Sequence, residues 1–262
     1  RAFAAAIILP GCGKKEPNLP VVVDSTAGLP PLSQRMLALP TAPQTETVFA
    51  QVSGSISGLQ FEHALDLSHP LKRLYSGGFA VGGVAIGDLD GDDRPDIFVV
   101  HGPGTNVLYR QTDQALKFED YTKQAKVDGG GAWGTGAAFA DIDNDNDLDI
   151  YVCNYDSPNQ LFINDGKAHF QECAADYGLD LINASLMPSF CDYDRDGDLD
   201  LYVLTNRFYL EGGVPAEPFF MSEDGVKIKA NFAQWYDVRD QFVHTVGQRD
   251  VLYRNEGVNE LG

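Results

Sequence analysis

The chain has 262 residues, of which 44% are hydrophobic, and a formal net charge of −19 at pH 7. That length allows one large all-β domain or two smaller ones, with enough apolar residues for a packed core. The acidic balance argues against a nucleic-acid partner, which needs a basic surface. No run of about 18 apolar residues is present, so the sequence predicts no membrane-spanning helix.

The first twelve residues predict the remnant of a secretory signal. Ala2–Leu9 form a short apolar run that leads into Pro10, Gly11 and Cys12. This stretch resembles a bacterial lipoprotein signal, whose cleavage leaves a cysteine that is then lipidated, although Pro10 departs from the residue expected there. The alternative is a chance Gly-Cys pair. The resemblance implies an exported protein, either secreted or held at the outer membrane or cell surface, with a lipid on Cys12 as its membrane contact.

Residues 13–56 predict a linker, and residues 57–262 predict the folded part. Six prolines and little apolar periodicity between residues 14 and 56 exclude a central strand there. Such a composition favours a semi-extended segment, as a tether between a lipid anchor and a folded domain would need.

Three aspartate-rich loops repeat along the folded part. They start at Asp88, Asp141 and Asp192, 53 and 51 residues apart, and together hold fifteen of the 38 acidic residues. A strand rich in small residues precedes each loop and an alternating apolar strand follows it. In the first two repeats, an asparagine ten residues after the loop opens a third strand, and a fourth strand containing phenylalanine comes next. Four short strands per roughly 50 residues, with no helical pattern between them, predict an all-β fold: a partial β-propeller of four-stranded antiparallel blades.

The third repeat predicts an insertion at about residues 205–249. Its loop ends at Asp200, but the strand that should follow starts at Asp250, so about 40 additional residues lie between its second and third strands. The inserted segment is rich in aromatic residues. It could carry function or simply cover a neighbouring blade.

The aspartate loops predict about three calcium sites. Carboxylates at positions 1, 3 and 5 of a tight loop suit a hard cation with oxygen ligands, position 7 is expected to offer its carbonyl, and position 9 supplies a closing carboxylate. Position 6 needs a positive φ, which Gly197 and Asn146 tolerate better than Asp93. An EF-hand is rejected, because all three loops have valine where it needs glutamate at position 12. Solvated turns alone would not repeat the same nine-residue form three times. The predicted ligands are Asp88, Asp90, Asp92, Arg94, Asp96, Asp141, Asp143, Asp145, Asp147, Asp149, Asp192, Asp194, Asp196, Asp198 and Asp200.

These features resemble the FG-GAP/VCBS repeat. The pattern Asp-x-Asp-x-Asp-Gly-x-x-Asp at Asp192–Asp200, and the Asn-x-Leu-Tyr-Arg strand at Asn106–Arg110, are similar to those of bacterial proteins that often end in an ASPIC/UnbV domain. They are also similar to the calcium-binding blades of integrin α-subunits. The resemblance covers residues 57–204 and 250–262. It implies a propeller, commonly of seven blades, with three blades recognisable here and the remaining blades expected on C-terminal sequence.

The glycine-rich stretch Gly129–Gly134 matches a dinucleotide-binding pattern. A strand and an aspartate loop follow it instead of a helix, which argues against that function. We expect a tight crossing between blades with Trp133 packed over it. The five histidines show no metal-site spacing, although His63 and His101 could share a surface.

Three cysteines remain if Cys12 is lipidated, and an odd number cannot pair completely. Cys153 and Cys191 are expected to be buried as small apolar residues. A disulfide between Cys153 and Cys173 is possible but not favoured, because the second and fourth strands of a blade are not neighbours.

The leading functional hypothesis is a non-enzymatic, calcium-stabilised extracellular propeller that binds protein or carbohydrate. One alternative is a polysaccharide lyase or another carbohydrate-active enzyme, since similar propellers occur in such lyases. A third hypothesis is a structural module of a larger surface assembly. Fold alone does not fix the ligand. The lyase alternative would place its reacting groups in the insertion, at Arg207, Tyr209, Tyr236, Arg239 and His244.

Overall fold

The computed structural model describes residues 49–63, 65–75, 82–206, 218–233, 236–239, 242–245 and 249–257. The chain divides into two compact units, Arg1–Ala50 and Gln51–Gly262, and every element below belongs to the second. The predicted signal remnant and most of the predicted linker lie outside the described residues. Helix α1 (Gly54–Ser57) buries Ser57, so ordered structure starts before residue 57. Within the described ranges, no helix has both the length and the apolar character needed to cross a membrane.

The strands form three consecutive blades. Blade 1 is a four-stranded antiparallel sheet of β1 (Gly83–Gly87), β2 (Asp96–Val100), β3 (Val107–Gln111) and β4 (Phe118–Asp120). Blade 2 repeats this order with β5 (Trp133–Ala140), β6 (Asp149–Pro158), β7 (Gln160–Asn164) and β8 (Phe170–Glu172). Blade 3 begins with β9 (Ile182–Cys191) and β10 (Asp200–Thr205). This architecture confirms the predicted all-β fold of antiparallel four-stranded blades.

The insertion separates blade 3 from its third strand. It contains one hairpin of β11 (Phe219–Ser222) and β12 (Gly225–Ile228), and a second of β13 (Tyr236–Arg239) and β14 (Phe242–Thr245). Blade 3 then resumes with β15 (Val251–Tyr253), which pairs with β10. The remaining short elements are α2 (Thr122–Ala125) and 3₁₀ turns at Lys72–Tyr75, Gly129–Gly131 and Ala230–Phe232.

One hydrogen bond recurs in all three blades, and the sequence separation of its two partners gives the length of the insertion. In each blade, the donor is the backbone N–H five residues after the last loop aspartate. The acceptor is a side-chain oxygen of the residue directly before the third strand. The three bonds run from His101 to Asn106 at 3.0 Å, from Asn154 to Asn159 at 2.9 Å and from Thr205 to Asp250 at 2.7 Å. Their partners are 5, 5 and 45 residues apart. The insertion therefore lengthens one strand connection and leaves the blade's hydrogen bonding intact.

Adjacent blades pack through opposite faces of their sheets. We call the side of a blade that meets the following blade its forward face, and the opposite side its rear face. The forward face of blade 1 (Phe98, Val100 and Leu108) packs on the rear face of blade 2 (Ile150, Val152 and Phe162). The forward face of blade 2 (Tyr151, Cys153 and Leu161) packs on the rear face of blade 3 (Leu201, Val203 and Tyr253). Alternation along each strand thus builds two apolar layers, since successive side chains point to opposite faces.

Glycine allows the first strands to approach closely near the propeller axis. A Cβ atom on Gly83 would lie 2.6 Å from the Cα of Gly136, and a Cβ on Gly136 would lie 2.3 Å from the carbonyl oxygen of Leu186. Real Cβ atoms do not come so close to backbone atoms. The small residues that predicted the first strand are therefore required by blade spacing.

Two cysteine predictions have different outcomes. Cys153 is buried, as expected, and is not paired with Cys173. Cys191 is exposed, so the prediction that it is buried is wrong. Its counterpart in blade 2, Ala140, is buried in the layer between blades 2 and 3. Cys191 lies on the forward face of blade 3, where the described residues supply no further blade.

The segment before blade 1 packs at the end of the blades remote from the aspartate loops. Leu71 and Leu74 join Trp133 and Tyr155 in a separate apolar cluster. Gly129–Gly131 all have positive φ, and a Cβ on Gly129 would lie 2.4 Å from Nδ2 of Asn106. The glycine-rich stretch thus turns the chain from blade 1 into blade 2, as the sequence predicted.

Candidate metal centres

The three aspartate loops share one backbone conformation. Positions 4 and 6 have positive φ in each loop: Gly91 73°, Asn144 63° and Arg195 68° at position 4, and Asp93 64°, Asn146 73° and Gly197 103° at position 6. The prediction for position 6 is confirmed even for Asp93. Position 4 was missed, because Arg195 gives no sequence signal for a left-handed residue.

This conformation turns backbone N–H groups towards the carboxylates. The position 1 carboxylate accepts the N–H of position 6 in each loop: Asp88 from Asp93 at 2.7 Å, Asp141 from Asn146 at 3.1 Å and Asp192 from Gly197 at 3.3 Å. The position 5 carboxylate accepts the N–H of position 7: Asp92 from Arg94 at 2.9 Å, Asp145 from Asp147 at 3.1 Å and Asp196 from Asp198 at 3.0 Å. Backbone donors therefore offset part of the repulsion among the aspartates.

The aspartate at position 9 is a buried clip between loop and strand. One carboxylate oxygen accepts the N–H of position 2: Asp96 from Leu89 at 3.2 Å, Asp149 from Ile142 at 2.9 Å and Asp200 from Tyr193 at 3.0 Å. The other oxygen accepts an N–H at the end of the third strand, at 2.9 Å in every case, from Gln111, Asn164 and Asn255 respectively. All three side chains are buried. Sequence reasoning treated position 9 only as a ligand and missed this role.

Position 3 is the least satisfied part of the loops. Oδ1 of Asp90 and Oδ1 of Asp143 are buried without a hydrogen-bond partner, and so is Oδ1 of Asp147 at position 7. A buried carboxylate oxygen without a donor is unfavourable, because it has lost water and gained nothing in return. A cation would satisfy these oxygens directly.

Burial and mutual repulsion perturb the carboxyl groups. Burial raises the pKa of Asp147 to about 6 and the pKa of Asp149 to about 7. Burial likewise raises the pKa of Asp96 to about 6, and raises the pKa of Asp90 and Asp143 above the usual range, with neighbouring aspartates adding to the effect. The ionised carboxylates of a loop therefore repel one another, and a bound cation would reduce this repulsion.

The structure brings three carboxylates together in each loop, with their oxygens within 4.8 Å of one another. The groups are Asp88, Asp90 and Asp96; Asp141, Asp143 and Asp145; and Asp192, Asp194 and Asp200. Of the other predicted ligands, Asp92, Asp149 and Asp196 lie outside these groups. Arg94, Asp147 and Asp198 were predicted to contribute carbonyls, which stays a prediction. The side chain of Arg94 pairs with Asp92, and Asp198 accepts a hydrogen bond from Asn144 of the neighbouring loop at 2.6 Å.

Arginine distinguishes two of the loops from the third. Arg110 of β3 pairs with Asp90, and Arg254, directly after β15, lies 3.7 Å from Asp194. The equivalent residue of β7 is Ile163, which carries no charge. Among the described residues, the position 3 carboxylate of the second loop, Asp143, therefore lacks the arginine partner that the other two loops have.

All-oxygen donors and unpartnered carboxylates fit a hard divalent cation. Such ions take several carboxylate and carbonyl oxygens at flexible geometry, as calcium does. Soft nitrogen or sulfur ligands are absent from the three described loops. The second loop fits best, because no arginine competes for its position 3 oxygen.

A cavity of about 560 Å³ lies between the second and third loops. Its lining includes the apolar Ile142, Phe190 and Leu201 and the carboxylates of Asp143 and Asp198. In blade 2, the corresponding space next to Leu89 is filled by Ala168 and Phe170. Their counterparts in blade 3, residues 259 and 261, lie outside the described residues. The cavity thus coincides with the place of a fourth strand, so it carries no argument for a small-molecule ligand.

Two of the histidines, His63 and His101, lie together at the end of the blades opposite the aspartate loops. The rings of His63 and His101 stack with centroids 5.0 Å apart, and Phe61 packs edge-on against both. His101 is buried, however, so the two histidines do not form a shared exposed surface. Burial lowers the pKa of His101, and the nearby imidazole of His63 lowers it further.

The insertion residues named for the lyase alternative are only partly described. Tyr236 is buried, and Arg239 donates to Asp237 at 2.6 Å. Arg207, Tyr209 and the side chain of His244 lie outside the described parts. The enzyme alternative stays a prediction.

Comparison with known proteins identifies the repeat. Residues 88–152 and 144–203 match the family model described as FG-GAP-like repeat. Cartilage acidic protein 1 of Xenopus tropicalis and of Homo sapiens are each 28% identical over 137 residues, and the protein of Mus musculus is 28% identical over 128 residues. These alignments cover 48–49% of this chain but only 19–20% of the relatives. The chain therefore matches about a fifth of the length of these proteins.

Proposed function

We propose that this chain is a calcium-stabilised extracellular propeller module that binds a protein or carbohydrate ligand and catalyses no reaction. The proposal includes calcium in each of the three aspartate loops. It also includes export, through a lipoprotein-type signal with Cys12 as the lipid-bearing residue. It also includes membership of the bacterial type that often ends in an ASPIC/UnbV domain, which rests on the resemblance of the loops alone.

The calcium proposal rests on a difference in hydrogen bonding among the loop carboxylates. In all three loops, positions 1, 5 and 9 accept backbone N–H groups. In each of the first two loops, position 3 keeps one buried oxygen, Oδ1 of Asp90 and Oδ1 of Asp143, without a donor. In a turn that binds no ion, a buried carboxylate oxygen without a hydrogen-bond partner would only reduce stability. Calcium would complete the loop by taking these oxygens.

Calcium would act by stabilising the folded state. A ligand that binds only the native state adds about 2.7 kcal/mol per site at a free concentration about 100 times its Kd. Extracellular modules of this kind bind calcium with Kd of about 10⁻⁴–10⁻³ M. Millimolar calcium outside the cell would then hold the loops closed, and chelation would release the repulsion among them.

The insertion supports a ligand surface at the end opposite the calcium loops. It leaves blade 3 between β10 and β15, at the end where His101 lies in blade 1. Phe219, Phe220 and Phe242 on its two hairpins are exposed. Exposed aromatic residues on a long inserted segment suit contact with a protein or sugar, and acidic loops at the other end leave this surface free for binding.

The test compares thermal unfolding in EDTA and in millimolar calcium. We expect a higher melting temperature in calcium, with a smaller effect of magnesium. Asp143→Asn should reduce the calcium-induced shift but leave the melting temperature in EDTA unchanged or raised, because it removes one repelling charge. Asp113→Asn removes an exposed aspartate outside the loops and is the matched control, which should behave as wild type. Equal melting temperatures of the wild-type chain in EDTA and in calcium would refute the calcium proposal.

A further inference from the structure

We propose that one buried side chain, Asn164 at the end of β7, couples the calcium sites of the first and second loops, so that calcium in one loop strengthens binding in the other. The inference rests on the calcium sites proposed above and adds a rule for how two of them fill. Asn164 acts as a positioning residue: its side chain holds the backbone of both loops and leaves the ion to the aspartates.

The amide of Asn164 bridges the two loops. Its Nδ2 donates to the carbonyl of Leu89, position 2 of the first loop, at 2.8 Å and to the carbonyl of Leu148, position 8 of the second loop, at 3.0 Å. Its Oδ1 accepts the N–H of Asp165 at 2.9 Å. Two carbonyl partners and one N–H partner fix the orientation of the amide. Asn164 is only 5% exposed, so water hardly competes for these bonds.

In the first loop, the bridge ends on the backbone that carries the predicted ligands. Leu89 lies between Asp88 and Asp90, which meet Asp96 in the carboxylate group of this loop. The N–H of Leu89 donates to Asp96 at 3.2 Å, and its side chain is buried between blades 1 and 2. A bond that fixes the carbonyl of Leu89 therefore fixes the spacing of all three carboxylates.

In the second loop, the bridge is tied to the closing aspartate. The backbone N–H of Asn164 donates to Asp149 at 2.9 Å, and Leu148 directly precedes Asp149. Asn164 thus holds its place as long as this closing segment does. Ala168, which follows β7 in blade 2, also donates its N–H to the carbonyl of Leu89, at 3.2 Å. Blade 2 therefore supplies both donors that hold Leu89.

This arrangement predicts positive coupling between the two sites. A cation in the second loop draws its carboxylates together and restricts Leu148, Asp149 and thereby Asn164. Asn164 then keeps Leu89 in place, so a cation entering the first loop has less conformational freedom to remove. The effect is reciprocal, as linkage requires. Direct repulsion between two cations would act in the opposite direction, so the sign of the coupling separates the two causes.

A related connection occurs at the next junction. The N–H of Asn255 donates to Asp200 at 2.9 Å, and its Nδ2 lies 3.5 Å from the carbonyl oxygen of Ile142, position 2 of the second loop. That second distance is at the outer limit of a hydrogen bond. The first and second loops, joined by the shorter and buried bridge, are therefore the pair to test.

The experiment is isothermal titration of the complete chain with calcium after selected loops have been disabled. The third loop is disabled throughout, and the first, the second or neither is disabled in addition. The product of the two binding constants of the pair, divided by the product of the two single-loop constants, is the coupling factor. We expect about 5-fold or more. Asparagine at positions 3 and 5 disables a loop but keeps the acceptor at position 5; the substitutions are Asp90→Asn with Asp92→Asn, Asp143→Asn with Asp145→Asn, and Asp194→Asn with Asp196→Asn.

Two substitutions of Asn164 test the bridge itself. Asn164→Leu keeps the size of the side chain and Asn164→Ala avoids any clash; both remove the two donors and should bring the coupling factor to one. Asn159→Ala is the matched control. Asn159 is also a buried asparagine, directly before β7, and its side chain bonds Asn154 and Tyr151. This control should keep the wild-type factor, and far-ultraviolet circular dichroism verifies that each variant folds.

Amide exchange gives a readout that needs no substitution of Asn164. In the chain whose second loop alone binds, calcium should slow hydrogen exchange at the N–H of Leu89 in the disabled first loop. If both Asn164 variants fail to fold, this measurement decides, and unchanged exchange overturns the inference.

The outcomes separate the coupling from the calcium proposal. Calcium binding with a coupling factor of one or less overturns the coupling and leaves the calcium sites standing. A factor that persists in both Asn164 variants overturns the role of Asn164. A wild-type chain that binds no calcium refutes the calcium proposal and the coupling together.

Discussion

Replacing Asp149 by asparagine separates the clip at position 9 from the calcium site. Asp149 is fully buried, and its two carboxylate oxygens accept the N–H groups of Ile142 and Asn164, both at 2.9 Å. Asparagine has nearly the same shape but only one acceptor oxygen. One of the two backbone N–H groups would then face the amide NH₂, which is also a donor.

The expected loss follows from that single unmet donor. A hydrogen bond to a charged group contributes about 1.5–3 kcal/mol, and leaving a buried donor unsatisfied costs about 1–3 kcal/mol. Removing a buried charge offsets part of this, since burial raises the pKa of Asp149 to about 7. We therefore expect a net loss of about 2–4 kcal/mol. In a unit of this size each kcal/mol shifts the melting temperature by about 2–4 °C, so the drop should be about 5–15 °C.

The assay is thermal unfolding of the variant in EDTA, where no calcium contributes. Asp145→Asn in the same loop is the matched control. Asp145 is exposed and accepts the N–H of Asp147 at 3.1 Å, a bond that the asparagine carbonyl can retain. The control should unfold in EDTA within about 0.5 kcal/mol of wild type and lose stabilisation only in calcium. If Asp149→Asn also unfolds like wild type in EDTA, the clip contributes no stability and the reasoning is wrong.

Two further predictions concern the arginines and the blade spacing. Arg110→Met should tighten calcium binding at the first loop, because it removes the cation that pairs with the position 3 carboxylate. Ile163→Arg should weaken calcium binding at the second loop for the converse reason. Isothermal titration calorimetry measures both affinities, and unchanged affinities would show that arginine does not compete with calcium. Gly136→Ala should lower the melting temperature by the equivalent of about 2–3 kcal/mol, because its Cβ would lie 2.3 Å from a backbone oxygen of blade 3. Gly130→Ala is the control: its Cβ would meet nothing within 4 Å, and it should cost only about 1 kcal/mol for its positive φ. Equal losses in the two glycine variants would contradict the packing argument.

The blades could be predicted from the sequence because each repeat contains several independent local patterns. The loop, the small-residue strand before it and the alternating strand after it are all local patterns of fixed spacing. Even the 40-residue insertion was visible, because Asp250 stands where Asn106 and Asn159 stand in the other repeats. The hydrogen bonds from Thr205, His101 and Asn154 to these residues confirm that equivalence.

The aspartates show where sequence reasoning stops. Alternate carboxylates look alike in the sequence, so positions 1, 3, 5 and 9 were all assigned to one cation. The fold gives them different partners: Asp149 joins two backbone segments 22 residues apart, Ile142 and Asn164, whereas Asp143 keeps an oxygen with no donor. The difference depends on the end of the third strand, which only the folded blade brings to the loop.

Cys191 was mispredicted because its neighbours in the sequence do not show whether a further blade covers it. Burial was inferred only from its position directly before an aspartate loop. In blade 2 that inference holds for Ala140, because blade 3 covers the forward face of blade 2. Blade 3 keeps the apolar Tyr202, Leu204 and Leu252 of such a face, yet within the described residues nothing lies against it. An apolar face is costly to leave in water, by about 25 cal/mol for each Å². The repeat therefore encodes a contact at the forward face of blade 3, just as it does at blades 1 and 2.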